Sequence, residues 1–376
     1  MRNNIKKNNI EKRIVLLGLN GRGGPLTYSC ILSSYLTKYC AVSLLLPSYS
    51  QIPKISKKVN VLRIRAPPSA IKTFFLTFNI FSHIKIIREI NKTSPDIINI
   101  LDIHPWYVIY WPFLKAKKIV TINDPQIHSG EGGIIMNTMI NTVTRFLLKH
   151  ADKIITLSKN QKDIVRQMGY KQEIIASKLG NQHEFSVGTD KKVAKLSIAD
   201  SKNILFFGRI KDYKGLKYLL EALIMLKNRK IEFKLTIAGE GDLTPYKKHI
   251  EELGPKYIYL DNKEIYEDPI TKYFKTAAFV VLPYTDATQT GIASIAYNFK
   301  KPLIVTNVGS LPEIVVNEKT GIVIPPKNVI KLSYAIEQML KNPKKTKLMG
   351  IEGYQFLNRE YNWDKIIKEL YEKAYK

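Results

Sequence analysis

The chain has only two cysteines, Cys30 and Cys40, in 376 residues. Two thiols build neither a disulfide framework nor a four-ligand zinc site. Both fall on or just after one predicted helix and read as small buried apolar residues, which fits a reducing cytoplasm. Acidic side chains are scarce, at 32 Asp+Glu against 59 Lys+Arg, for a formal net charge of +27. No two aspartates flank a single residue, so an acidic metal-binding triplet is absent and no metal ligand set or cofactor is expected. Long apolar runs are missing too. The longest, Ala70 to Ile87, is broken by Lys72, Asn79, His83 and Lys85, which excludes a spanning helix there. Met1 to Arg13 is largely polar and basic, so no secretory leader is expected.

What is present is ordinary in proportion: 45% hydrophobic and 24% charged residues, in a chain long enough for two cores. The charge is the exception. Nucleic acid, an anionic membrane or an anionic substrate would each explain it, and so would an A+T-rich coding composition that favours Lys, Ile and Asn. Basic residues are spread along the whole chain with no nucleic-acid-reading motif, so nucleic acid is not an expected partner. An anionic ligand or membrane remains, with composition inflating the figure.

Along the first half, apolar runs alternate with helical patterns. Arg13 to Gly18 reads as a buried strand running into Leu19-Asn20-Gly21-Arg22-Gly23-Gly24-Pro25, before a helix from about Leu26 to Lys38. This turn fits neither the dinucleotide fingerprint nor the P-loop. It still admits a ligand close to the backbone at a helix start. Strands follow at Ala41 to Leu46 and Val59 to Arg65. The segment Lys72 to Asn91 reads as one helix with Phe74, Phe75, Phe78, Phe81, Ile84 and Ile87 on an apolar stripe and Lys72, Lys85, Arg88 and Lys92 around it. Such a helix can lie on a membrane. A strand follows at once, which favours an ordinary packed helix. Further strands at Asp96 to Ile100, Lys118 to Ile122 and Lys153 to Leu157 end in polar loops, among them Asp102-Ile103-His104 and a loop carrying His128 and Glu131. In that last loop, polar side chains with His128 and Glu131 at a strand's carboxyl end are site candidates.

The pattern lapses over Ser186 to Ser201, a polar linker, and then resumes. The expected organisation is α/β with two Rossmann-like domains facing a cleft: a first over residues 1–185 and a second over 202–355, with a closing helix over 356–376. In the second half, Asn203 to Phe207 is a doubly buried strand delivering Gly208-Arg209-Ile210-Lys211-Asp212-Tyr213-Lys214-Gly215 to its carboxyl end. A guanidinium and an ammonium before a helix start suit a phosphate-bearing ligand. Strands at Phe233 to Ala238 and Ala278 to Leu282 lead into the Gly239 turn and into Pro283 to Gly291. Leu303 to Thr306 reads as the last buried strand, followed by Val308-Gly309-Ser310-Leu311-Pro312-Glu313. Arg209, Lys214, the amides of Thr290-Gly291-Ile292 and the Gly239 turn converge in this reading on a diphosphate.

These pieces in this order resemble a retaining glycosyltransferase of the GT-B fold, family 4. The match runs through Gly23-Gly24, Pro95 to Ile98, Ala151 to Ser158, Gly208-Arg209 with Lys214-Gly215, Ala238 to Gly241 and Val308 to Glu313. The resemblance implies that Arg209 and Lys214 hold the pyrophosphate of a nucleotide-sugar donor. It puts Gly23, Gly24, Gly239, Gln289, Thr290, Gly291, Ile292 and Glu313 around the donor, with His128 as a further catalytic candidate. It also implies a glycan or lipid-linked acceptor and a closing helix from about Trp363 that crosses back to the first domain. The +27 charge and the Lys72 to Asn91 helix point to a cytoplasmic protein attached peripherally to an anionic membrane surface, where a lipid-linked acceptor would reside. Two features depart from the family. The two glutamates it carries eight positions apart are Ala287 and Ile295 here, and its first-domain histidine is Asn123, with His128 five residues on. A catalytically silent member that binds a sugar nucleotide, or partners an active transferase, is the alternative those departures motivate.

Overall fold

Strands that are apolar at every position must be covered on both faces, and two parallel sheets meet that demand. The computed structural model describes residues 12–53, 55–66, 70–122, 134–181, 202–263, 267–287 and 290–376. The linker expected at Ser186 to Ser201 lies outside the described residues. In the first half, β1 (Arg13–Leu17), β2 (Ala41–Pro47), β3 (Asn60–Ile64), β4 (Ile97–Ile100), β5 (Lys117–Ile122), β6 (Lys153–Thr156) and β7 (Glu173–Ala176) form a 7-stranded parallel sheet in the order 3-2-1-4-5-6-7. In the second, β8 (Asn203–Phe207), β9 (Lys234–Ala238), β10 (Ile258–Asp261), β11 (Phe279–Leu282), β12 (Leu303–Thr306) and β13 (Gly321–Ile324) form a 6-stranded parallel sheet in the order 10-9-8-11-12-13.

The crossover helices of the first half are α1 (Gly23–Leu36), α2 (Ala70–Thr77), α3 (Ile80–Lys92), α4 (Trp106–Tyr110), α5 (Ile134–His150) and α6 (Lys159–Gln167). Those of the second are α7 (Leu216–Asn228), α8 (Lys247–Leu253), α9 (Glu267–Thr276), α10 (Ile292–Asn298), α11 (Leu311–Ile314), α12 (Val329–Lys341) and α13 (Pro343–Glu360), before a final α14 (Trp363–Leu370). Period-2 alternation sorts each strand into two cores. Ile14 and Leu16 face α1 and α14, while Val15 and Leu17 face Trp106, Tyr107 and α5. Ile204 and Phe206 join one core of the second domain, and Leu205 and Phe207 the other.

The chain leaves the second domain through α13 and breaks at Tyr361-Asn362. There the Asn362 side chain accepts the Lys365 amide to open α14. Trp363, Ile366, Ile367 and Leu370 then enter the first domain's core beside Ile14 and Leu16. The Trp363 indole donates to Asn181 O at 2.7 Å, and Asn99 Nδ2 on β4 donates to the Tyr375 hydroxyl at 2.5 Å.

In each sheet the strand order reverses once, between β1 and β4 and between β8 and β11. Ligands of open α/β sheets bind at such points, outside the carboxyl ends. The glycine turn after β1 and the two-cation loop after β8 emerge at the two reversals.

Three expectations are corrected. The single helix Lys72 to Asn91 is two helices, because Asn79 caps α3 by accepting the Ser82 amide at 3.1 Å. The break resets the helical phase. His83, Ile86 and Ile90 point inward, and the expected packed stripe of Phe75, Phe78, Phe81 and Ile84 is exposed. Leu303 to Thr306 is not the last strand, since β13 pairs beyond it. An unexpected β7 likewise closes the far edge of the first sheet beside β6. Among the described residues no helix is long and apolar enough to cross a membrane.

Candidate active site

The loop after β8 is fastened to the turn after β9 by backbone alone. Gly208 N donates to Ala238 O at 2.9 Å and Ile210 N to Glu240 O at 2.7 Å. The approach is so close that a Cβ on Gly239, at φ +144°, would lie 2.2 Å from Gly208 O. Only glycine fits there. A Cβ on Gly208 would in turn meet Lys214 Nζ at 3.0 Å and Ile292 Cδ1 at 2.9 Å. Gly208, Gly239, Lys214 and the start of α10 therefore form one cradle. Lys214 ends a 3-10 turn over Asp212–Lys214 and is buried, its ammonium 5.6 Å from the centroid of the Tyr284 ring. Gly215 takes φ +69° to turn the chain into α7, where any side chain would strike Pro283 O. Arg209 sits on the exposed rim of the same loop.

The expected contribution of α10 is smaller than its place implies. The helix is 7 residues long, and its Ile292 amide already donates to Thr290 Oγ1 at 3.2 Å. A helix this short aligns few peptide dipoles. The side-chain cations that this loop offers are Lys214 and Arg209.

Across the cleft, the turn after β1 is held by a buried buttress. Asn20 N donates to Asp102 Oδ2 at 2.5 Å, Leu19 N to the Tyr107 hydroxyl at 3.1 Å, and that hydroxyl to Asp102 Oδ1 at 2.7 Å. Burial pushes the Asp102 carboxyl above its ordinary range, partly offset by the Tyr107, Asn20 and Leu19 hydrogen bonds. The Tyr49 hydroxyl donates to Asn20 O at 3.2 Å, and the Arg22 guanidinium lies 5.2 Å from the Tyr49 ring centroid. Gly23 and Gly24 open α1 toward empty space, with no atom within 4 Å of where a Cβ would stand. In the loop after β4, His104 is held neutral, its pKa lowered to about 4 by burial and then by His83. Its Nδ1 accepts the Trp106 amide at 3.2 Å. Sequence reading placed Asp102 and His104 in a polar loop without a role. The missing information was which strands pair, because the buttress exists only once β4 lies beside β1.

Glu313 spans the two domains. Its carboxylate accepts Lys159 N at 3.1 Å and Asn160 N at 2.9 Å, the first two amides of α6. Tyr361 donates to Glu313 O at 2.8 Å. Asn181 and Asn298 exchange side-chain hydrogen bonds nearby. Ser158, Lys178, Thr290, Gly291, Ser310 and Glu313 line the narrow part of the cleft between these contacts. His128 and Gln289 lie outside the described residues.

Two family models match, in tandem. The model of glycosyltransferase family 4 covers residues 22–176, and that of glycosyl transferases group 1 covers residues 188–356. The chain belongs to the group 1 glycosyltransferases.

This transferase is 28% identical over 342 residues to an uncharacterized glycosyltransferase of Methanocaldococcus jannaschii, spanning 86% of this chain and 85% of that one. It is 24% identical over 289 residues to a glycogen synthase of Mycobacterium tuberculosis, covering 72% and 66%. Among solved structures, a sucrose-phosphate synthase from Thermosynechococcus elongatus superposes with a TM-score of 0.76 at 19% identity, covering 97% of this chain and 99% of that chain. Anabaena HepE in complex with UDP-glucose superposes with a TM-score of 0.72 at 15% identity, covering 96% and 99%. The fold is that of the two-domain GT-B glycosyltransferases. In the transferase Ala287 is buried and Ile295 partly buried, both packed in the second domain's core. Among the described residues no group of three or more His, Cys, Asp and Glu is placed to hold a metal ion.

Proposed function

We propose that the chain transfers a sugar from a nucleotide-sugar to a hydroxyl of a glycan or lipid-linked acceptor, with retention at the anomeric carbon, in the synthesis of cell-surface polysaccharide. The observation that carries this reading is the buried Lys214 ammonium in the Gly208–Gly239 cradle at a strand-order reversal. A cation fixed in a site of low dielectric stabilises charge developing on a leaving diphosphate, and it needs no reorganisation at that moment. Arg209 on the rim adds a second cation that can follow the donor in. The bond from the anomeric carbon to the diphosphate oxygen breaks as the bond to the acceptor oxygen forms on the same face. The acceptor proton passes to the departing phosphate. Asp102 and Tyr107 contribute by fixing the backbone of Leu19 and Asn20, so that the open Gly23-Gly24 edge meets the donor without moving.

In this mechanism Lys214 and Arg209 supply the electrostatic role, so transfer proceeds without a divalent metal and survives a chelator. HepE was crystallised with UDP-glucose, which makes uridine diphosphate sugars the first donors to try. Replacing Lys214 with Ala lowers kcat by about 10²–10³-fold while the protein stays folded. Radiolabelled transfer together with circular dichroism reads both, and wild-type turnover in that variant would sink the mechanism. NMR of the product reads the anomeric configuration directly.

The apolar Ala287 and Ile295 favour a second reading, a member that binds a sugar nucleotide without turning it over. Neither donor hydrolysis nor transfer across a broad donor panel, alongside donor-induced thermal stabilisation, would establish it instead.

A further inference from the structure

We propose that the α2–α3 corner is a docking face for an anionic lipid bilayer. Of the 15 large hydrophobic side chains exposed among the described residues, six fall between residues 75 and 84. Phe75 and Phe78 are each 69% exposed, Ile80 66% and Phe81 87%, with Leu76 and Ile84 beside them. Scattered exposed hydrophobics are normal, but a ridge of this density is not.

The ridge follows from the helix break. In α3 the inward face is His83, Ile86 and Ile90, which leaves Phe81, Ile84, Lys85 and Arg88 on the outward face. Aromatic and aliphatic groups leading into cations is the order in which a bilayer surface presents acyl chains and then anionic headgroups. Residues 70–92 carry Lys72, Lys85, Arg88 and Lys92 against Glu89 alone, four charges minus one, or +3.

Charge also separates the candidate occupants. A second copy would set a +3 segment against itself on chains of +27, which self-repulsion opposes. An anionic bilayer complements both figures.

Position supports the same occupant. The corner is pinned to the carboxyl edge of the first sheet: Trp106 Nε1, just past β4, donates to Thr77 Oγ1 at 2.9 Å, and His83 bonds Thr77 O and the Tyr110 hydroxyl, each at 3.0 Å. A groove of about 870 Å³ runs along it, with Phe81 and Lys85 on one wall and Tyr49 and Arg65 on the other. Tyr49 is the residue bonded to Asn20 in the turn after β1. Seating the ridge in a bilayer thus brings the first domain's cleft loops to the lipid surface.

The inference stands independently of the transfer reaction, because vesicle binding is read without donor or acceptor. Purified full chain is sedimented with phosphatidylcholine vesicles, with and without phosphatidylglycerol. The wild type pellets with the anionic vesicles alone. The exposed double substitution Ile80→Ser with Phe81→Ser lowers the bound fraction at least tenfold, with an unchanged melting temperature. Lys85→Glu with Arg88→Glu abolishes the preference for phosphatidylglycerol. Ile330→Ser with Tyr334→Ser, on the exposed face of α12, binds like the wild type. Equal pelleting on both vesicle types, or full binding by the Ile80/Phe81 variant, overturns the proposal. So does a wild-type dimer in analytical ultracentrifugation that this variant abolishes, which would give the ridge to a second copy.

Discussion

His104 shows how much one ionisable side chain contributes to the stability of the first domain. Burial holds its folded-state pKa at about 4, against about 6.5 for an exposed imidazole, so the fold favours the neutral ring. The resulting contribution is complete above about pH 6.5 and is lost as pH falls toward 4. A difference of two to three pK units corresponds to about 3 kcal/mol. Urea denaturation at neutral pH and again near pH 4.5 checks this: His104→Gln, which cannot titrate, loses markedly less stability between the two conditions than the wild type. Parallel losses would remove His104 from the account. At the same scale, Gly208, Lys214 and Gly239 were legible in the sequence, because glycines and cations after apolar runs announce themselves locally. Asp102 and Tyr107 were not, because their partner is a turn some eighty residues earlier in the chain.

Among the elements, α6 depends on a residue from the other domain. Its own cap, Ser158, serves the Gln161 amide at 3.1 Å and leaves the first two amides to Glu313. Glu313→Ala removes a charged cap worth about 1 kcal/mol. Hydrogen exchange at Lys159 and Asn160 should accelerate, and KM should rise more than kcat falls as the domains lose a tie. Exchange at the wild-type rate would show that water substitutes for Glu313. Both carboxylate oxygens of Glu313, which the resemblance puts around the donor, are engaged on α6. The alternation of elements was readable because doubly buried strands are apolar throughout. The α2–α3 break was not, because Phe78 continues an i, i+3 pattern into Asn79, and only the cap geometry reveals that the pattern stops there. Strand β13 escaped notice because Gly321-Ile322-Val323-Ile324 is short and begins on a glycine.

For the molecule as a whole, the two domains are tied at the end of the chain. Trp363 is fully buried in the first domain's core although Leu357 and Tyr361, just before it, belong to the second. Trp363→Ala leaves a cavity costing about 3–5 kcal/mol. Chemical denaturation followed domain by domain should show the first sheet unfolding at lower urea while the second holds its midpoint. A uniform shift of both would mean that they unfold as one unit.

That C-terminal return also dictates when the protein can finish folding as it is made. The second sheet has nearly all its parts once α13 has left the ribosome. The first sheet, synthesised earliest, waits with the face of β1 and β4 open until Trp363, Leu370 and Tyr375 arrive to fill it. A chain that lacks Trp363 through Tyr375 therefore carries an exposed apolar wound in its oldest part, and only the arrival of those side chains closes it.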